Sequence, residues 1–238
     1  MPLFSSLKIV ALDLLFPLRC AGCGKEGVAL CPACSANLHM IAPSCFVCKK
    51  LVPEAGKIPS GRTCTPCRKK TKIYAFLSPF SYGTPAIKTL IHDLKYRRVR
   101  PHAEVLADML GDYLRYFRIS LPRDGLLIPI PLHKSREAAR GFNQSFLIAR
   151  SLGEKFGVKT PKDILQKIKS TKPQMELTRE ERLKNAIGTF AVSDRKTVAN
   201  RTIILLDDVK TTGATLEEAA HTLKASGAKK IWAITIAH

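Results

Sequence analysis

Every cysteine of the chain falls between Cys20 and Cys67, where the eight stand as four CxxC pairs: Cys20/Cys23, Cys31/Cys34, Cys45/Cys48 and Cys64/Cys67. A disulfide framework seldom stops so abruptly, and paired knuckles point to metal instead. In a CxxC turn both sulfurs lie on one side, close to the bite that tetrahedral Zn²⁺ requires, and two such turns complete a four-sulfur shell. Gly22, Gly24, Pro32 and Pro66 supply the turn chemistry that these knuckles need. Sequential pairing groups Cys20, Cys23, Cys31 and Cys34 at one site and Cys45, Cys48, Cys64 and Cys67 at the other. Cross-braced pairing interleaves them; the short separations favour the sequential scheme. So short a segment has too little core to fold alone, and zinc binding supplies on the order of 10 kcal/mol per site. With thiolate at every position no water is left to activate, so both zinc ions are expected to be structural. Reduced, metal-bound thiols also suit a cytoplasmic setting.

A chain of 238 residues has room for one α/β domain and a small accessory module, here divided as 1–72 and 73–238. Its formal net charge is +20 and is spread along the chain. Lys49, Lys50, Arg62, Arg68, Lys69, Lys70 and Lys72 flank the cysteines, and Lys95, Arg97, Arg98 and Arg100 follow. Such a surface favours polyanions, whether phosphorylated metabolites, nucleic acid or anionic membrane, although a plain solvated face has the same composition. Leu3–Leu18 is apolar, but no basic cluster precedes it, Lys8 and Asp13 interrupt it, and no small-residue cleavage site follows. It is neither a signal peptide nor long enough to span a bilayer. An amphipathic helix near Ser6–Leu15, packed on the body of the protein, is the expectation; no transmembrane segment is expected.

Thr202–Leu206 is a β-rich apolar run without alternation, the pattern of a strand buried on both faces of a parallel sheet. Asp207 and Asp208 end it, and Val209, Lys210, Thr211, Thr212, Gly213, Ala214 and Thr215 follow. Leu216–Ala225 then reads as a helix, with Thr215 and Glu218 as a T-x-x-E capping box and Gly227 as its stop; a second strand follows at Ile231–Ile236. The loop thus lies at the carboxyl end of a strand, where α/β sheets bind ligands. Free N–H groups at a helix start, with hydroxyls from Thr211, Thr212 and Thr215, suit a phosphate dianion. Adjacent carboxylates could accept from vicinal ribose hydroxyls or hold a hydrated Mg²⁺. No Gly-Lys-Thr is present and the acids precede the loop, so this is not a Walker A motif.

A hydrophobic strand, two acids and a TTGAT loop resemble the phosphoribosyl pyrophosphate signature of type I phosphoribosyltransferases. The resemblance implies that Asp207 and Asp208 meet the ribose 2′- and 3′-hydroxyls while Thr211–Thr215 wrap the 5′-phosphate. Further stretches narrow it: Pro129-Ile130-Pro131-Leu132-His133, Arg136, Arg140-Gly141-Phe142-Asn143-Gln144-Ser145, the Leu94-Lys95-Tyr96 turn, and Thr171, Gln174, Leu177, Arg182 and Asn185. Together with the four knuckles they are similar to the ComF/GntX (competence protein F) family from Leu14 to the end. The implied fold class is α/β: a small N-terminal Cys-rich double zinc ribbon, then a parallel-sheet phosphoribosyltransferase-like domain.

The residues agree with that implication. Leu126–Ile130 reads as a short buried strand whose following loop carries His133, Lys134, Arg136 and Arg140, groups able to clamp a pyrophosphate. Arg136 and Arg140 could equally be surface charges at a helix start, and Asn143 and Gln144 packing and capping residues. Lys167–Asn185 resembles the hood over the substrate, or else is a plain hairpin and helix. One position departs from the pattern: where purine-using relatives can carry an acid that acts as base, this chain has Thr211.

Two readings of function follow. In one the chain is a transferase, passing a ribose 5-phosphate unit to an acceptor that no residue names, with Mg²⁺ on the pyrophosphate. In the other it handles single-stranded DNA in natural competence and DNA uptake, beside competence machinery proteins, and the phosphoribosyl pyrophosphate site is regulatory or vestigial.

Overall fold

The two longest strands, β5 (Thr202–Val209) and β6 (Lys230–Ala237), lie side by side at the centre of a four-stranded sheet. A computed structural model describes residues 17–52, 60–169 and 187–238. With β1 (Ala75–Leu77) and β2 (Leu126–Pro129) the sheet runs β1-β6-β5-β2, all parallel. A strand covered on both faces must be apolar at every position, and β5 and β6 divide their side chains accordingly. Ile204, Leu206, Trp232 and Ile234 enter one apolar cluster, Ile203, Leu205, Ile231 and Ala233 the other. The first cluster is roofed by α2 (Pro85–His92), α3 (His102–Tyr116) and α5 (Gln144–Phe156). The second is roofed by α7 (Ala214–Ala225), the short helix α6 (Arg195–Val198) and an antiparallel pair, β3 (Leu165–Lys167) with β4 (Phe190–Val192).

β5 runs further than its apolar run suggests. Both acids lie within the strand, because β6 continues alongside: Asp207 stands opposite Thr235 and Val209 opposite Ala237. β2 ends at Pro129, one residue before the expected limit, although Ile130 N–H still donates to Leu206 O at 2.8 Å. The helix expected near Ser6–Leu15 lies outside the described residues, as does most of the 167–185 stretch.

The cysteine-rich segment, which includes the short helix α1 (Pro32–Ala36) and a 3₁₀ turn at Thr65–Lys70, grips the β1 side of the sheet. Ala29 enters the first apolar cluster, with Leu30, Leu38 and Met40 packed against it, whereas Phe46 enters the second. Between them, Thr63 N–H donates to Tyr74 O at 2.7 Å and Phe76 N–H to Gly61 O at 2.9 Å. Arg62 sits antiparallel to Ala75 in this ladder. The segment thus closes a sheet edge that would otherwise be open to pairing with other chains. Among the described residues no helix is long and apolar enough to cross a membrane.

Gly61 is the tight point of this closure. Its φ is +74°, and a side chain there would be driven into the Phe76 carbonyl oxygen. Gly61→Ala is expected to lower stability by about 1–3 kcal/mol, through left-handed strain and loss of the edge pairing. Gly24→Ala, at φ +76° with open space around it, is expected to lower stability less. Thermal denaturation of the two variants tests the ranking.

Candidate functional site

The eight thiols gather into two sets. The sulfurs of Cys20, Cys23, Cys31 and Cys34 lie within 4.8 Å of one another, as do those of Cys45, Cys48, Cys64 and Cys67. Pairing is therefore sequential. Sulfur–sulfur separations of 3.7 Å (Cys23 to Cys31) and 3.6 Å (Cys48 to Cys64) match the edge of a tetrahedron with Zn–S bonds of about 2.3 Å. Burial works against the Cys20 thiolate, yet backbone N–H groups of Cys31, Cys23 and Gly22 outweigh it and bring the thiol to about 6. Burial likewise opposes the Cys45 thiolate, and N–H groups of Cys48, Cys64 and Val47 bring it to about 6. Hydrogen bonding with Cys31 first, then with the other sulfurs, pushes Cys34 up to about 12, and Cys67 rises to about 12 through Cys64 in the same way. Four thiolates this close need a cation among them, and a dication with a tetrahedral preference fits both sets. These are two structural zinc sites.

The second constellation lies at the carboxyl end of β5. Asp208 is 5 % exposed, and its Oδ2 is ion-paired with Lys95 Nζ. Burial would raise the Asp208 carboxyl, but Lys95 outweighs it and holds the group below the usual carboxylate range. Asp207 moves the other way: burial first, then the charge of Asp208, pushes it up to about 8. The two carboxyls are thus driven in opposite directions, Asp207 toward holding a proton and Asp208 toward its charged form. Ser145 Oγ donates to Asp207 Oδ1 at 3.1 Å, and the Asp208 N–H donates to the same oxygen at 2.9 Å. Gln144 hydrogen-bonds Asp208 and accepts at Oε1 from Arg140. Asn143 sets this corner: its Oδ1 caps α5 by accepting from Ser145 N–H at 2.9 Å, and its Nδ2 donates to Ile130 O at 3.0 Å.

Lys95, Gln144 and Ser145 thus join the acids, and Lys95 had looked like part of a surface charge run. It belongs instead to a π-helical turn, Asp93–Arg97, that extends α2 and ends with Arg98 at φ +59°. The rest of that run is also engaged. Arg97 pairs with Asp93, Arg98 donates to Ala139 O at 2.8 Å, and Arg100 lies 5.0 Å over the Phe142 ring. The polar triplet Asn143-Gln144-Ser145, buried at a helix start, was the local sign of a site here.

The expected pyrophosphate groups lie on a helix rather than a loop. His133 caps α4 (Lys134–Arg140): its Nδ1 accepts from Ser135 N–H at 3.4 Å, with Ser135 Oγ at 2.8 Å. Lys134 is exposed, Arg136 half-buried. Arg140 ends the helix over the Tyr96 ring, and burial, partly offset by Asp208, pulls its pKa below the usual guanidinium value. Lys167 is lowered by burial and then by the charge of Arg136, and it feels Asp207 as well. Cations from three elements therefore surround the diacid.

After β5, Lys210 N–H donates to Ala237 O at 2.9 Å and Gly213, at φ +84°, caps α7. The capping box expected of Thr215 and Glu218 does not form. The helix begins at Ala214, because Gly213 alone takes the left-handed turn, and Thr212 Oγ1 accepts the Ala214 N–H at 3.3 Å. Glu218 accepts instead from Gly188 N–H at 2.7 Å, and Glu217 from Thr71 Oγ1 at 2.5 Å and Lys72 N–H at 2.8 Å. Thr211 is exposed, Thr212 and Thr215 half-buried, and Val209 half-buried at the strand end. Hydroxyls and helix-start N–H groups stand beside acids ringed by cations, a donor and acceptor set suited to a sugar phosphate.

Residues 142–238 match the phosphoribosyl transferase domain family, and residues 11–68 the double zinc ribbon domain family. Together with the two sulfur sets and the parallel sheet, these matches define a double zinc ribbon protein with a phosphoribosyltransferase-fold domain. DNA utilization protein YhgH of Salmonella typhi is 29% identical over 219 residues, covering 90% of this chain and 87% of that one. Competence protein F of Haemophilus influenzae is 27% identical over 219 residues (89% and 86% covered), and competence protein ComFC of Bacillus subtilis 26% over 207 residues (83% and 72%). The chain is thus similar to competence protein F and ComFC over most of its length. A solved HPRT glutamic acid mutant aligns at 13% identity and TM-score 0.33 over 58% of this chain and 66% of that one, too loosely to carry an argument.

Metal analysis of the purified protein is expected to return two zinc ions per chain, and Cys45→Ser one. One zinc or none from undamaged wild-type protein would contradict the two sulfur sets.

Proposed function

We propose that the chain binds phosphoribosyl pyrophosphate with Mg²⁺ at the carboxyl end of β5. The observation that carries this reading is a diacid, buried Asp208 beside half-buried Asp207, flanked by Lys95, Arg140 and Lys167 at the foot of a helix start. Asp207 and Asp208 take the ribose 2′- and 3′-hydroxyls. Val209 and Lys210 lead into the loop, where Thr211, Thr212, Gly213, Ala214 and Thr215 wrap the 5′-phosphate. His133, Lys134, Arg136 and Arg140 face the pyrophosphate, whose charge Mg²⁺ offsets when bound. A ligand that brings hydroxyl donors and a cation to the acids favours their doubly ionised form. Transfer of the ribose 5-phosphate unit would gain from the same cations as negative charge develops on the departing pyrophosphate. Thr211 offers no base, so the reading favours an acceptor that needs none from this loop.

Asp207→Asn is the cleaner probe of the site. It mimics the protonated acid and is expected to fold, whereas Asp208→Asn strands buried Lys95 without its partner. Calorimetry is expected to show Asp207→Asn binding phosphoribosyl pyrophosphate with Mg²⁺ about tenfold more weakly, the double Asp207→Asn/Asp208→Asn variant at least as much. Equal affinity of wild type and both variants would refute the assignment.

The relatives' names, DNA utilization protein and competence protein, favour a second role beside the first. In it the protein handles single-stranded DNA in the cytoplasm, where reduced thiols persist, alongside competence machinery. Lys95–Arg100 is committed elsewhere, which leaves exposed Lys49 and Lys50 and, on the exposed 3₁₀ turn, the three residues Arg68, Lys69 and Lys70 for this task. Neutralising those three residues together is expected to weaken single-stranded DNA binding and flatten its salt dependence, as fewer phosphate contacts release fewer counterions. Donor binding should be unchanged. No measurable DNA binding by the wild type at low salt would leave the charge as a solubility feature.

A further inference from the structure

The second sulfur set is built into the wall of the phosphate loop. Phe46 lies between Cys45 and Cys48, and Cys45 is wholly buried. Knuckle hydrogen bonds fix this turn: Cys45 N–H donates to Lys50 O at 2.9 Å and Lys49 N–H to Cys45 O at 2.9 Å. The ring projects away from the knuckle into the second apolar cluster, where it meets the Phe76 ring edge-on at 5.3 Å. There it touches the loop twice. Lys210, only 8 % exposed, places its ammonium 4.8 Å from the Phe46 centroid and 5.2 Å from that of Phe76. Gly213 turns so closely that a side chain there would meet Phe46 Cζ at 2.8 Å. A third link runs from the same set: Thr71 and Lys72, just beyond Cys67, hold Glu217 in the first turn of α7.

We infer that Phe46 is a positioning residue for the phosphate loop, and that the zinc held by Cys45, Cys48, Cys64 and Cys67 sets the affinity of that loop for its ligand. The inference rests on the proposed donor site. The physical argument is one of preorganisation. A loop that presents N–H groups and hydroxyls to a phosphate binds tightly only if its conformation is fixed beforehand. Beyond the Lys210 N–H bond to Ala237 O the loop has left β5, so what its side chains and Gly213 lean on helps to fix its conformation. Lys210 leans on the two aromatic faces, which attract its cation out of water. Gly213 leans on the ring edge. The ring, in turn, keeps its place because both flanking cysteines are ligands of one metal. The first sulfur set lies across the sheet edge, near the opposite apolar cluster, and has no such contact with the loop.

The test is calorimetric titration of phosphoribosyl pyrophosphate with Mg²⁺ into full-length protein, with zinc content measured on each sample. Phe46→Ala is expected to keep two zinc ions and bind about tenfold more weakly. Phe46→Tyr, which preserves the aromatic face, should restore affinity, and Phe46→Leu should restore only part of it. Leu223→Ala, at the far end of α7 in the same apolar cluster, should lower the melting temperature without changing affinity. Cys64→Ser should reproduce the Phe46→Ala defect with one zinc, whereas Cys23→Ser, also with one zinc, should bind like wild type. Unchanged affinity in folded Phe46→Ala overturns the inference while leaving the donor site intact; equal loss in both cysteine variants overturns it as well. Should Phe46→Ala fail to fold, Phe46→Leu decides, and wild-type affinity there is an overturning result. A wild-type protein that does not bind the donor refutes the site itself.

Discussion

A parallel sheet cannot leave either face in water, and in this molecule that requirement is met from two ends of the chain. Helices cover most of one face, and Ala29, Leu30, Leu38 and Met40 of the cysteine-rich segment pack against the same cluster. On the other face α6, α7 and the β3–β4 pair are joined by Phe46, which packs on Phe76 of β1. The metal-binding segment is thus a component of the sheet's packing. Its ribbons have little apolar interior of their own, so metal gives them shape and the sheet gives them something to bury. Neither part is complete without the other.

The same economy governs the polar corner at the end of β5. Two adjacent carboxylates in a buried strand repel one another and favour neutralisation. Lys95 offsets the charge of Asp208, while burial and that same charge push Asp207 toward its neutral form. Such a pair contributes little to stability, because taking its charges out of water offsets most of their attraction. Under the proposed function its place at the mouth of an α/β sheet makes physical sense, since hydroxyl donors and cations of a ligand would relieve the repulsion. Asn143, by capping α5 and tying it to the end of β2, holds Gln144 and Ser145 where they can attend to the acids.

Much of this was legible in the residues. The all-apolar run before Asp207 announced a doubly covered strand, and the CxxC spacings announced two four-sulfur sites while only favouring the sequential grouping that the structure has. What escaped were relations between distant parts of the chain. Lys95 sits among Arg97, Arg98 and Arg100, and nothing local separates it from them; only the fold brings Asp208 to it. Thr215 and Glu218 have the spacing of a capping box, but the Gly188 N–H takes the Glu218 carboxylate, while the Thr71 hydroxyl and the Lys72 N–H take that of Glu217. Phe46 looks like a filler inside a metal knuckle. Its role as core residue depends on a loop more than a hundred positions away in the chain.

The ladder between residues 61–63 and β1 bears on how the chain comes to fold. β1 pairs in parallel with β6, so Ala75 must wait for Trp232, far later in the chain, before its sheet partner exists. Throughout that interval a short apolar strand would be exposed on the growing chain, open to the wrong neighbour. The metal-bound segment emerges just before β1 and pairs with its opposite edge through Gly61 and Thr63. Its ladder leaves only the other edge of β1 open, and β6 pairs there.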